Sequence, residues 1–147
     1  MSKTPHLFQA LVALAIGVMI WSYIGPASLG GPVTVVVTRG ISMEPMFSQG
    51  DMVLVRRTSQ VRPGDIILYR SADTGQRILH RVLSTSGDRF ITKGDNNDWL
   101  DTDDPTMDEI DGVYWFHAAG AGGLAARLQS PIASAGFGGV LLALVAM

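Results

Sequence analysis

The longest apolar run opens the chain. Leu7 to Ile24 reads LFQALVALAIGVMIWSYI, eighteen residues without a charge and with Gln9 as the one strongly polar member. As a helix it would reach about 27 Å, close to the roughly 30 Å hydrocarbon core of a bilayer. Trp21 and Tyr23 fall at its far end, where an aromatic belt is expected. The run exceeds the roughly 7–15 apolar residues of a cleaved secretory signal, so residues 7–24 are expected to be a retained transmembrane anchor. Gly25 to Pro32 is a Gly/Pro/Ser linker that ends it.

From Val33 the pattern changes from helical to extended. Val33–Thr38 is almost wholly β-branched and reads as a strand. Gly50-Asp-Met-Val-Leu-Val55 and Gly64-Asp-Ile-Ile-Leu-Tyr69 echo each other, each a Gly-Asp turn followed by an apolar run of strand length. Arg77–Leu83 and Arg89–Lys93 form a hairpin pattern around Ser86-Gly-Asp88. Short strands with Gly and Pro punctuation, and no sustained 3.6-residue period, predict a mainly β, antiparallel domain over residues 33–117. Residues 118–147 turn to Gly, Ala and Leu. Leu128–Met147 carries no charge and is expected to be a second membrane segment, weakened by Pro131, Gly136, Gly138 and Gly139.

Composition narrows the function classes. Only 16% of the 147 residues are charged, against about a quarter in soluble domains, which agrees with a lipid-embedded portion. A net charge of −2 argues against nucleic acid as a partner, since that needs a basic footprint. With no cysteine, disulfides, thiolate nucleophiles and cysteine-ligated zinc are excluded. Eight of the thirteen acidic residues lie in 95–111, but a calcium loop started at Asp101 would need a ligand, Gly and Glu where Pro105, Thr106 and Gly112 stand. No cofactor and no metal is expected.

Ser42 sits in Gly40-Ile-Ser-Met-Glu-Pro45, just past the first strand, on a turn stiffened by Pro45 and eased by Gly40. On its own such a serine is usually an ordinary loop residue. As a nucleophile it would need a base. The candidates are Lys3, Lys93, His6, His80 and His117. His80, in an apolar strand, is either a hydrogen-bonded structural histidine or a general base, the role for which imidazole ionises in the right range. A histidine base needs an acceptor to fix its tautomer, and Asp95, Asp98, Asp101, Asp103 and Asp104 are available.

In this order the motifs resemble type I signal peptidases, membrane-anchored serine proteases that remove signal peptides from exported proteins. They are Ser42-Met-Glu-Pro45, Gly50-Asp51, Pro63-Gly-Asp65, His80-Arg-Val82 and Thr92-Lys-Gly-Asp-Asn-Asn97. Where the common bacterial form has a lysine base before Arg-Val, this chain has His80, so it looks like the endoplasmic-reticulum and archaeal branch. The resemblance implies Ser42 as nucleophile, His80 as base, Asp95 supporting the site and Asp101 orienting His80, with Asp103 and Asp104 as competitors for that last role. Where the lysine branch can use a serine hydroxyl in the oxyanion hole, this chain has Gly40, which leaves backbone N–H groups including that of Ser42. It further implies an Ala-x-Ala-like cut site, signal peptides of exported preproteins and membrane lipid as partners, a cytoplasmic amino terminus over residues 1–6, and a catalytic domain outside the cell membrane. Further partner subunits are left open. Three alternatives stand beside it: an inactive tethered β binding module, a self-cleaving repressor-type peptidase, and, inside the family, a specialised peptidase for a narrow set of exported proteins. A self-cleaving repressor-type peptidase would need a lysine base and a DNA-binding domain.

Overall fold

The computed structural model describes residues 4–124, with side chains from residue 8 onward. Helix α1 (Thr4–Ile24) covers 21 residues without Asp, Glu, Lys or Arg, beginning three residues before the apolar run. Over the side chains that are described, residues 8–24, no helix is both long and apolar enough to cross a membrane. The second expected span, Leu128–Met147, lies outside the described residues.

Six strands follow: β1 (Val33–Val37), β2 (Met52–Arg56), β3 (Ile66–Arg70), β4 (Arg77–Ser86), β5 (Arg89–Lys93) and β6 (Ile110–Ala118). They make one antiparallel sheet in the order β1-β2-β6-β3-β4-β5. The expected β-rich architecture is therefore present, and the Arg77–Lys93 hairpin turns at Gly87-Asp88 as the pattern indicates. β6 was not legible in the sequence. Gly112 interrupts its apolar pattern, and a bulge leaves Trp115 without a partner, because Leu54 pairs with Phe116 while Val55 pairs with Tyr114. The glycine is required there: a Cβ at Gly112 would stand 2.7 Å from the Arg56 carbonyl.

Each face of the sheet buries one apolar cluster. Met43, Phe47, Val53, Val55, Ile66 and Leu68 form the first; Ile67, Tyr69 and Val82 form the second. Phe47 comes from the long β1–β2 loop, and its burial holds that loop, with Ser42 on it, against the sheet. Burying a side chain of this kind stabilises by about 1.5–3 kcal/mol.

Asp51 fastens the other end of the loop. Its carboxylate accepts the backbone N–H groups of Gly120 (2.8 Å) and Ser48 (2.9 Å). Those two bonds, Gly120 first, hold the Asp51 carboxyl below its ordinary 3.8 against the opposing effect of burial. A depressed folded value contributes stability that is complete above the unfolded value and lost as pH falls through the folded one. Wild type is therefore expected to melt above Asp51→Asn at pH values above 3.8, with the gap in Tm closing as the pH drops further.

Candidate active site

Strand alternation decides which side chains of His80-Arg81-Val82 meet the serine. His80 and Arg81 leave β4 on opposite faces. The His80 ring is nearly buried, and its Nε2 lies 3.0 Å from Ser42 Oγ. Its Nδ1 lies 2.6 Å from Asp101 Oδ2. The Asp101 oxygen also accepts Thr92 Oγ1–H at 2.7 Å and Tyr69 O–H at 3.1 Å. Burial drives the Asp101 carboxyl upward, and the hydrogen bonds from His80, Thr92 and Tyr69 outweigh it, so the net direction is downward and the group is ionised at neutral pH. Burial pushes the Tyr69 phenol well up, which keeps it a donor. A carboxylate on Nδ1 fixes the proton there and leaves the Nε2 lone pair facing the serine hydroxyl.

Three of the four residues expected in the site, Ser42, His80 and Asp101, thus come together. Asp95 goes elsewhere. Its carboxylate clamps Arg81, receiving Nε at 2.8 Å and Nη2 at 2.7 Å, and this hydrogen bonding raises the Arg81 pKa further. Arg81 Nη1 reaches the Gly64 carbonyl at 2.8 Å, and Nη2 lies 3.5 Å from Met46 Sδ on the loop that carries Ser42. Beside Asp95, the Asn96 N–H donates to the Ser42 carbonyl (2.8 Å) and its side chain to the Ile41 carbonyl (3.1 Å). A Cβ at Gly94 would lie 2.7 Å from the Ser42 carbonyl, so only glycine lets this loop lie so close to the Ser42 turn.

Among the described residues, no hydrogen bond joins any other candidate to the Ser42 side chain. The Asp104 carbonyl accepts Arg89 Nη1–H at 2.8 Å, and among the described residues no hydrogen bond joins Asp103 or Asp104 to His80. His117 pairs with the Tyr114 hydroxyl at 3.2 Å. Of the sulfur and aromatic side chains near Ser42, Met43 and Phe47 are core and Met46 packs against it. Among the described residues no group of three or more His, Asp or Glu converges as a metal-ligand set.

Thr92 and Tyr69 were missed by sequence reasoning. Thr92 opens the Thr92-Lys-Gly-Asp motif, and Tyr69 is a phenol that follows the apolar run Ile66-Ile-Leu68, which is the available signal that it needs a buried partner.

Because the Arg81–Asp95 clamp sets the loop that holds the Ser42 backbone, Asp95→Ala is expected to lower kcat/KM by about 10–100-fold through displacement of the Ser42 turn. Asp98 is exposed and makes no hydrogen bond to a described residue. Asp98→Ala should therefore stay within about twofold of wild type, as surface changes usually do. Equal losses in the two variants, measured on one peptide substrate, would contradict the clamp.

The family described as Peptidase S24-like matches residues 19–113, well over half of the chain. The chain is similar to the signal peptidase complex catalytic subunit SEC11 of Metarhizium acridum, 32% identical over 105 residues, which is 67% of this chain and 60% of that protein. It is 34% identical over 92 residues to the sec11 subunit of Pyrenophora teres, covering 58% and 53%. It is 32% identical over 108 residues to human SEC11C, covering 67% and 56%. The matched stretch thus spans less than two thirds of the length of these relatives.

Proposed function

Since the chain belongs to the Peptidase S24-like family, we propose that it is a membrane-anchored serine endopeptidase that removes signal peptides from exported proteins. The observation that carries this reading is the Ser42–His80–Asp101 alignment, at 3.0 Å and 2.6 Å. The similarity to proteins named as signal peptidase catalytic subunits supplies the substrate class. The uncharged apolar run Leu7–Ile24 supports the anchor, its length as a helix being about 27 Å. In this reading residues 1–6 are cytoplasmic, 25–32 link the anchor to the domain, and the domain works on the outer face of the membrane.

The mechanism follows from the proton positions. Asp101 holds the His80 proton on Nδ1, and Nε2 takes the proton of Ser42 Oγ as that oxygen attacks the scissile carbonyl carbon. The backbone N–H of Ser42, which has no hydrogen-bond partner among the described residues, is available to the oxyanion. Collapse breaks the C–N bond and the leaving amine takes the proton from Nε2. Water then hydrolyses the Ser42 ester with the same base. Substrate lies extended along a sheet edge, and β1, a terminal strand of the sheet, runs directly towards the Ser42 turn.

The test uses the full chain in detergent and a preprotein with an Ala-x-Ala site, beside one carrying Leu in place of the final Ala. Cleavage of the first and loss with the second is expected. Equal cleavage of both contradicts the small-residue preference, and cleavage of neither contradicts the assignment as a signal peptidase.

A further inference from the structure

Two consecutive exposed aromatics on a strand break the in-and-out alternation that a half-buried sheet requires. Trp115 and Phe116 do so on β6, at 43% and 54% exposure. The bulge is the cause: with Trp115 inserted between the Val55–Tyr114 and Leu54–Phe116 pairs, Tyr114 and His117 still point into the core against Phe47, while the two residues between them both face outward. Arg56 belongs to the same outward face. Its guanidinium carbon lies 5.3 Å from the Trp115 ring centroid and 3.9 Å from that of Tyr23, at the end of α1. No carboxylate or carbonyl among the described residues receives the Arg56 N–H groups.

We propose that Tyr23, Arg56, Trp115 and Phe116 form a collar that seats the β domain on the bilayer surface, with Arg56 donating to a lipid headgroup phosphate. The inference rests on α1 being the membrane anchor. Continuity favours lipid over a protein partner, because Tyr23 lies in the last turn of the apolar helix and its ring is itself one of the two that Arg56 lies over. Amphipathic rings settle at the headgroup level. A guanidinium with its faces against aromatics keeps its N–H edge free, and that edge matches phosphate geometry. Exposed Arg57 follows directly in the chain and adds positive charge beside it. The collar would fix the height and tilt of the catalytic domain above the membrane, which the linker alone does not do.

The three tryptophans, Trp21, Trp99 and Trp115, make this measurable by fluorescence. The full chain is reconstituted in phosphatidylcholine vesicles containing a lipid spin-labelled on its headgroup. W21F/W99F leaves Trp115 as the reporter, and W99F/W115F leaves Trp21 as the reporter of the anchor. Trp115 emission is expected to fall about twofold or more in labelled vesicles, as for a ring at the interface. Adding R56Q should return most of that emission while leaving cleavage of a peptide in detergent unchanged. Quenching of Trp21 without Trp115 overturns the collar and leaves the anchor standing, a pattern that a second copy or a protein partner covering Trp115 would give. Quenching of neither overturns the anchor and the collar together. Quenching of Trp115 that R56Q does not change overturns the phosphate contact. The Trp115 reading needs no Arg56 variant, so a failure of R56Q to fold does not remove the test.

Discussion

Ser42→Ala and His80→Ala are each expected to slow preprotein cleavage by about 10⁶-fold, and the double variant by no more than either alone. In the proposed mechanism the two side chains act as one unit across their 3.0 Å contact. Without the imidazole the hydroxyl is a weak nucleophile at neutral pH, and without the hydroxyl the imidazole has nothing to activate. Ser42→Ala removes one oxygen from a partly exposed turn, so Tm should be unchanged. Rates for the two single variants and the double variant, in one detergent and on one substrate, check the claim. Multiplying losses would show that the two groups work independently and that the relay is wrong.

Asp101→Asn carries the second large effect, about 10⁴-fold in kcat. The carboxylate only accepts, so it dictates a proton on His80 Nδ1. An amide in its place can present its NH₂ to Nδ1, and the proton then moves to Nε2, where it blocks acceptance from Ser42. The conformation would be nearly unchanged while the tautomer is wrong. Tyr69→Phe should produce a smaller loss, since it deletes one of three donors to the same oxygen and leaves Thr92 and His80 in place. If Asp104→Ala proved crippling and Asp101→Asn mild, the acceptor assignment would be wrong.

The strands were legible where local chemistry and packing agree. The β-branched stretch at Val33 and the two Gly-Asp turns mark β1, β2 and β3, whose residues alternate or run apolar as their burial demands. β6 was hidden because its bulge and Gly112 serve the neighbouring strand and the outer face, and neither leaves a periodic trace. The site was legible as a set of motifs but not as a network. Ser42 and His80 are 38 residues apart, and only the fold brings them into contact. Asp95 and Asp101 look alike in sequence, yet Asp95 meets Arg81 and Asp101 meets His80, because adjacent residues of β4 face opposite sides of the sheet. Tyr69 and Thr92 read as ordinary strand residues until their hydroxyls are seen on Asp101.

The central claim is that this chain cuts exported preproteins through Ser42. Incubating the purified full chain and its Ser42→Ala variant with one preprotein, and weighing the products by mass spectrometry, tests it most directly. Wild type should release a mature fragment beginning immediately after the Ala-x-Ala site, and Ser42→Ala should release none. The same fragment from both proteins, or from neither while both melt as folded domains, would contradict it.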